Sequence, residues 1–492
     1  MPSIIHLRKR FRPSKRTRRV VGSVLIFLGV FHLWLHVTNP YAGVNFVQQP
    51  YTTSVQNGKI TVHKQFDMNV YNDGLAQALG YYKSGFLIVQ NSYFGSRPAK
   101  SGNVDGILDD IHRLRFDPSK PYLISGDQFS VLYPRNLGVF YNSILDPRTA
   151  HSQTDWQNRQ RIYLQSALYA LDAFSKEKQL ATTIVPIGSK AAVLTQVHPG
   201  SVPSDSLYGL LYALEALQDP GNSNESHKLQ TVDATKAILT ERRGDLAALV
   251  QVYLDQVLDP ATGLVKRDVH LAAARDGVVR ESSFYDNVVL WKTLALADQL
   301  DIRRANPGAL NELRGKILQT FWDIEGHFKD DLTTRPQFAN YSSDWLIALP
   351  TDFLSPDRAE DRPYLERTIA FIGQQGIAQP FPIKYQAHPK VQEAPWAVKT
   401  FVPNYGGDAI WSYWGAEYLT LLANMNHYSD GAYTKELNHG IKTYEQKIIE
   451  NRGFPETFDA EGSFLQNSVY KSIRQTGWVV QFETAKASAA DK

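Results

Sequence analysis

The chain has 492 residues, with 52 Lys and Arg against 49 Asp and Glu, 12% aromatic residues and no cysteine. The missing cysteine excludes disulfides, thiolate metal sites and a cysteine nucleophile. Eight of the cations fall within residues 1–19, and setting them aside leaves 44 cations against 49 acids, so a nucleic-acid partner is not expected.

Those eight are Arg8, Lys9, Arg10, Arg12, Lys15, Arg16, Arg18 and Arg19, with no acid among them. Val20–Val37 follows as an almost wholly apolar run of 18 residues, and a helix that spans a bilayer takes about 17–25. Cations before the run and none just after it orient the N-terminus to the cytoplasm. A cleaved signal peptide has a shorter apolar region ending at small residues; this run ends at Trp34, His36 and Pro40. The reading is a basic cytoplasmic segment 1–19, a single-pass transmembrane signal anchor 20–38 and an extracytoplasmic remainder. The lipid bilayer is then one partner.

Residues 39–104 read as a tether and lead-in, with one strand expected from the polar alternation of Gly58–Lys64. From Asp105 onward apolar residues recur at three- and four-residue spacing, the pattern of helices. Helices are expected at 136–146, 155–177, 204–218, 229–257, 284–300, 308–323, 341–349, 362–374, 407–424, 431–449 and 475–488, with Pro and Gly at their joints. No Pro/Ser-rich linker divides the region. It reads as one all-helical domain, 105–490, whose consecutive helix pairs suit a closed toroid.

Four loops concentrate carboxylates, aromatics and glycines where helices begin. They are Gly126–Asn136, Arg280–Asn287 leading into Trp291, Pro403-Asn-Tyr-Gly-Gly-Asp-Ala-Ile-Trp411, and Gly453-Phe-Pro-Glu-Thr-Phe-Asp459 followed by Gln475-Thr-Gly-Trp478. An acid or Ser at a helix start is also an ordinary cap. Their recurrence at intervals of a helix pair places them at one end of a barrel.

These motifs resemble the loops of six-hairpin toroid glycosidases: glucoamylases, trehalases, processing α-glucosidases and amylo-α-1,6-glucosidase domains. The resemblance covers roughly residues 125–488. It implies an all-α (α/α)6 barrel and a glycoside hydrolase, α-glucosidic in preference, acting on an oligo- or polysaccharide. Such hydrolysis needs two carboxyl groups across the scissile bond, about 6.5–9.5 Å apart in an inverting enzyme. By resemblance Asp286 is the general acid, with Glu281 as its competitor and Asp344 in reserve, and Glu456 is the base. Asp286 has capping as its alternative role, and Glu281 an ion pair with Arg280. Asp127, Tyr133, Arg135, Tyr285, Asp344, Tyr405, Asp408, Trp411, Trp414 and Trp478 are candidates for stacking on sugar faces or bonding hydroxyls. Trp291, a turn into its helix, reads as structural.

No cofactor and no metal are expected. His198 and His270 stand alone in sequence, and no phosphate loop is present. The chain is expected to be a monomer. Two other functions remain open: a polysaccharide lyase on the same toroid, and a glycan-binding or assembly protein without turnover.

Overall fold

The computed structural model describes residues 19–20, 22–30, 48–94, 97–126, 129–218, 229–272, 274–275, 278–304, 306, 308–333, 341–387, 402, 404–467 and 470–490. Residues 19–20 and 22–30 are helical, and Val24, Leu25, Ile26, Phe27, Leu28 and Val30 are exposed. Among the described residues no helix is long and apolar enough to cross a membrane. Positions 21 and 31–38 of the expected anchor lie outside the described residues.

The body is mostly helical, and its helices fall into two layers that alternate along the chain. The outer layer holds helices within Val104–Arg115, Gln153–Glu177, Arg243–Val257, Ala309–Phe321, Arg362–Gln374 and Thr434–Asn451. The inner layer holds the segment opened by the 3-10 turn Pro134–Leu137, the helices Ser206–Ala216 and Phe284–Gln299, the 3-10 turn Ser343–Ala348, and the helices Ser412–Asn426 and Val479–Ala490. Each inner segment packs on the next in this order. The last meets the first where Trp478 stacks on Phe140, ring centroids 4.5 Å apart, so the ring is closed.

With two helices outside this alternation, Gly74–Phe94 and Val232–Glu241, the helices number in chain order from α1 (Gly74–Phe94) and α2 (Val104–Arg115) to α11 (Thr434–Asn451) and α12 (Val479–Ala490). Composition sorts the layers. Inner helix α4 (Ser206–Ala216) reads Ser-Leu-Tyr-Gly-Leu-Leu-Tyr-Ala-Leu-Glu-Ala and buries nearly every residue, as an all-round apolar helix must. Outer helix α11 buries Leu437, Gly440, Tyr444 and Ile448 at three- and four-residue spacing and keeps its charges outside. Inner segments approach closely. A Cβ on Gly209 would lie 2.1 Å from the Pro134 carbonyl oxygen, so only glycine fits there.

Two expected helices are not regular. Residues 136–146 form turns after Pro134–Leu137, because the N–H groups of Phe140 and Tyr141 both reach the Asn136 carbonyl. Residues 341–349 shorten to the six-residue 3-10 turn. The helix expected from 407 starts at Ser412, since Ile410–Trp411 pair as a strand with Thr457–Phe458. The 229–257 stretch divides at Arg242 into α5 (Val232–Glu241) and α6 (Arg243–Val257).

The segment expected to be a tether is, from residue 48, part of the folded body. Tyr51–Gln56 and Lys59–Lys64 form an antiparallel hairpin, which includes the expected strand. The hairpin lies on α3 (Gln153–Glu177), where the Tyr51 hydroxyl donates to Asp172. Asn69–Tyr71 pairs in parallel with Ala191–Thr195, and α1 packs on that sheet. This cover explains why α3, an outer helix, is buried along most of its length.

At the ring seam, residues of α2, α3 and α12 meet. Glu483 accepts from His112 Nε2 at 2.9 Å and from His151 Nε2 at 2.6 Å, while Asp155 faces His112 and Arg159. Burial works to raise the Glu483 carboxyl, but His112, His151 and Arg159 together pull it down to about 2. Burial likewise opposes charge on His151, yet Glu483 and Asp109 push it up to about 9. The His151 contribution to stability is complete below its ordinary 6.5 and lost as pH rises through about 9. The Glu483 contribution is present above its ordinary 4.5 and lost as pH falls toward about 2. The thermal midpoint is therefore expected to be highest between about pH 5 and 6.5 and to fall on both sides. Glu483→Gln should flatten both arms and cost on the order of 3–5 kcal/mol, as measured by thermal and urea denaturation across pH.

Candidate functional site

A cavity of about 230 Å³ opens among the loops that precede the inner segments. It brings together Tyr133 and Arg135 of the first loop, Tyr405 and Trp411 of the third, and Glu456 and Trp478 of the fourth. These six were selected from sequence, and they come from positions more than 300 residues apart.

Glu456 is held firmly. Its N–H donates to the Ile473 carbonyl at 2.9 Å, and its own carbonyl accepts from Ser412 N–H at 3.0 Å. It stands just before the short strand Thr457–Phe458, which pairs with Ile410–Trp411. The Tyr405 hydroxyl donates to Glu456 Oε1 at 3.0 Å and the Ser472 hydroxyl to Oε2 at 3.4 Å. Glu456 is only 3% exposed, so these donors stand in for solvent around its carboxylate.

The aromatic wall is continuous. Tyr405 leans on Trp411 at 4.7 Å, and Trp411 stacks near Trp478 at 5.9 Å. Trp411 Nε1 donates to the Tyr405 carbonyl at 2.8 Å, which fixes both rings. Across from them the Arg135 guanidinium lies over the Tyr133 ring at 5.2 Å. Flat apolar faces with a few polar groups suit a ligand that is itself apolar on one face and hydroxylated at its edges.

The second loop lies elsewhere. Asp286 does not line the cavity and is 1% exposed. It sits in the first turn of α7 (Phe284–Gln299), where its N–H donates to the capping Ser283 hydroxyl at 3.0 Å. Its carboxyl accepts from Ser204 at 2.6 Å and from Ser283. Burial raises its pKa, opposed by Arg280 and the two hydroxyls. Tyr285 is buried and donates to Asp205 at 3.0 Å. Glu281 is exposed and pairs with Arg267 at 2.7 Å, not with Arg280.

Arg280 turns inward instead, bonding Asp330 at 2.9 Å and Asp344 at 2.7 Å. Arg275 bonds Asp330 at 2.7 Å and, through Nε, the Gly406 carbonyl at 2.9 Å. Tyr385 donates to Asp344 at 3.0 Å. This buried network ties the second loop to the third, and Ala274 beside Arg275 lines the cavity. Asp344 therefore belongs to the network and not to the cavity wall. Asp408 is half-buried and off the cavity, with burial raising its pKa. Trp414 is fully buried against Phe140 and Tyr413. Asp127 lies outside the described residues, between Ser125 and Phe129, which both line the cavity. Trp291 packs on Phe353 and donates to the Leu310 carbonyl, as its place within a helix implied.

The sequence reading missed several lining residues, among them Ile88, Phe129, His198 and Tyr470. His198 and His270 are not isolated: their rings stack at 5.4 Å, because Val202–Pro203 pairs with Leu271–Ala272. Ile88 comes from α1, whose buried face runs Ala76, Gly80, Lys83, Leu87. A Gly and a Lys at core positions hide its helical period. Burial lowers that Lys83 to about 8.

Among the described residues, two groups have the side chains for a metal ion, His112–His151–Glu483 and Asp323–Glu325–His327. Neither lines the cavity. In the first, the Arg159 guanidinium lies 2.9 Å from His112 Nδ1 and already supplies the positive charge that a cation would bring.

No protein-family model matches the chain, and no curated protein matches its sequence. Among solved structures, the glucoamylase of Hormoconis resinae is 12% identical, covering 79% of this chain and 73% of that one, with a TM-score of 0.48. A Glycoside Hydrolase Family 15 glucoamylase of Hypocrea jecorina is 13% identical, covering 79% and 72%, with a TM-score of 0.49. A mannosylglycerate hydrolase of Thermus thermophilus, in complex with glucose, is 14% identical, covering 83% and 99%, with a TM-score of 0.41. All are (α/α)6-toroid glycosidases, the class named by the sequence resemblance. At these distances they assign no residue and no substrate here.

The site's own packing sets two expectations. Tyr405→Phe, which removes one donor to Glu456, should cost about 1 kcal/mol in urea denaturation. Trp478→Ala removes the ring that joins Phe140 to Trp411 and should cost about 3–5 kcal/mol.

Proposed function

We propose that this chain is a membrane-anchored glycoside hydrolase acting on an α-glucosidic or related glycan, with Glu456 as the base that activates water. One observation carries the reading: the carboxylate of Glu456, which accepts from the Tyr405 and Ser472 hydroxyls, faces a wall of Tyr133, Tyr405, Trp411 and Trp478. The rings would stack on sugar faces, and Arg135, Asn136 and His198 would bond hydroxyls. A base bonded by Tyr405 and Ser472 stays oriented toward a water held between it and the sugar.

The acid is proposed by resemblance at Asp286. Its burial and its place off the cavity wall count against it, and Asp127 is the alternative, since its neighbours Ser125 and Phe129 line the cavity. Inversion of configuration is part of the proposal. A second reading, glycan binding without turnover, is favoured by one fact: Glu456 is the single carboxylate among the described lining residues.

The test is sugar release by the full-length protein in detergent, on maltooligosaccharides, isomaltose, trehalose, branched glucan and β-linked controls. Release from one class, lowered about 10²–10⁴-fold by Glu456→Gln, is the expected outcome. Loss in Asp127→Asn with turnover kept in Asp286→Asn would move the acid to Asp127. Quenching of tryptophan fluorescence by a sugar that is never cleaved would favour the binding protein.

The anchor is proposed for residues 20–38, with the body outside the cytoplasm. Eight cations before the run and exposed Val24, Leu25, Ile26 and Phe27 support it. The full chain should stay with membranes through alkaline carbonate extraction, and a chain lacking residues 1–38 should not.

A further inference from the structure

A second cavity, of about 500 Å³, lies further along the same inner segments. The first is bordered by Trp411 and Trp478, just before α10 (Ser412–Asn426) and α12; the second is bordered by Glu417, Thr420 and Asn424 of α10 and by Gln481 and Thr484 of α12. At 1.5 Å per helical residue, the α10 positions lie about 9–20 Å beyond Trp411. Phe140, edge-on to Tyr413 at 4.9 Å and stacked on Trp478, stands between the two.

The wall of this cavity differs in kind. Ser143, Thr420, Asn424, Gln481 and Thr484 give it neutral polar groups, and neither Lys nor Arg is among its described lining residues. At its inner edge Glu417 is 3% exposed, and its Oε1 accepts from Asn142 Nδ2 and from the Tyr413 hydroxyl, each at 2.9 Å. The other amide atom, Asn142 Oδ1, is buried and accepts nothing. The Glu417 carboxylate and the Asn142 amide, whose oxygen accepts nothing, thus adjoin at a wall with neither Lys nor Arg among its described residues.

We propose that this is a second ligand site, which binds the protonated amine of a small polyhydroxyl molecule against Glu417 and Asn142. An ammonium has three donors and no acceptor, so it satisfies both oxygens and compensates a charge that is otherwise costly to bury. The hydroxyl and amide groups of the wall meet the ligand's hydroxyls. With neither lysine nor arginine among the described lining residues, His427 is the one basic side chain there that an anion would have. The site is separate from Glu456 and does not depend on the reading of that cavity.

Titration supports the geometry. Burial pushes Glu417 up to about 7, and the Asn142 and Tyr413 donors only partly offset this. The phenols of Tyr208, Tyr212 and Tyr413 face it, each raised above its ordinary range by burial and therefore neutral. Glu215 acts on the first two of these phenols, and His427 and Asp357 are the other titratable groups of the cavity wall.

The experiment is calorimetric titration of the full-length protein with glucamine, an amino polyol, and with sorbitol, its neutral counterpart, at pH 6 and pH 8. Glucamine should bind about tenfold more tightly at pH 8, where a group titrating near 7 is mostly ionised, and sorbitol should not bind measurably. Glu417→Gln, of the same shape and uncharged, should keep the thermal midpoint and lose glucamine at both pH values. Glu456→Gln should leave glucamine binding unchanged. Equal binding of both polyols, a glucamine affinity that ignores pH, retention in a folded Glu417→Gln protein, or no binding at all would each overturn the proposal. Were Glu417→Gln not to fold, the pH series on the native protein decides alone.

Discussion

A closed ring must end where it began, and here the stack of Phe140 on Trp478 makes that join. Phe140 lies in an irregular inner segment early in the chain, and Trp478 precedes the last helix. Close beside them the Ser143 hydroxyl donates to Gln481, and Glu483 gathers His112 and His151. Without this seam the first and last hairpins would each leave an apolar face open to water. The same rings also form the inner wall of the Glu456 cavity, so closure of the fold and shaping of the site are one event.

That shared role explains why both cavities occur on one axis. The inner segments start in loops rich in aromatic and acidic residues and continue into helices with polar residues on selected turns. Phe140, Tyr413, Trp414 and Trp478 fill the middle. Above them Glu456 is held by Tyr405, Ser472 and the backbone. Below them Glu417 is held by Asn142 and by Tyr413, one of the plugging rings. At both ends a buried carboxylate accepts hydrogen bonds from neutral hydroxyl or amide groups.

The Arg275–Asp330–Arg280–Asp344 network follows the opposite logic. Its side chains are buried, and each charge is bonded to an opposite one. Removing one member would strand the others, so the network specifies how the second and third loops sit together. It draws Asp344 away from any part in a cavity and aligns Gly406 next to Tyr405.

Sequence alone determined the helical body, most of its helix positions, and the loops that would carry a site, because three- and four-residue spacing and turn residues are local signals. It also selected Glu456 and the aromatic residues around it, through the resemblance of their loops to those of toroid glycosidases. It failed at α1, where Gly80 and Lys83 interrupt the apolar face, and at the N-terminal hairpin, whose apolar residues are too few to announce packing on α3. Only the tertiary structure decided which acids face a cavity. Asp286, Glu281 and Asp344 look alike in sequence, yet one is bonded by buried serines, one pairs with Arg267 at the surface and one is held by Arg280. Side-chain direction depends on partners far away in the chain, and no local pattern encodes which of several carboxylates will find its cation first.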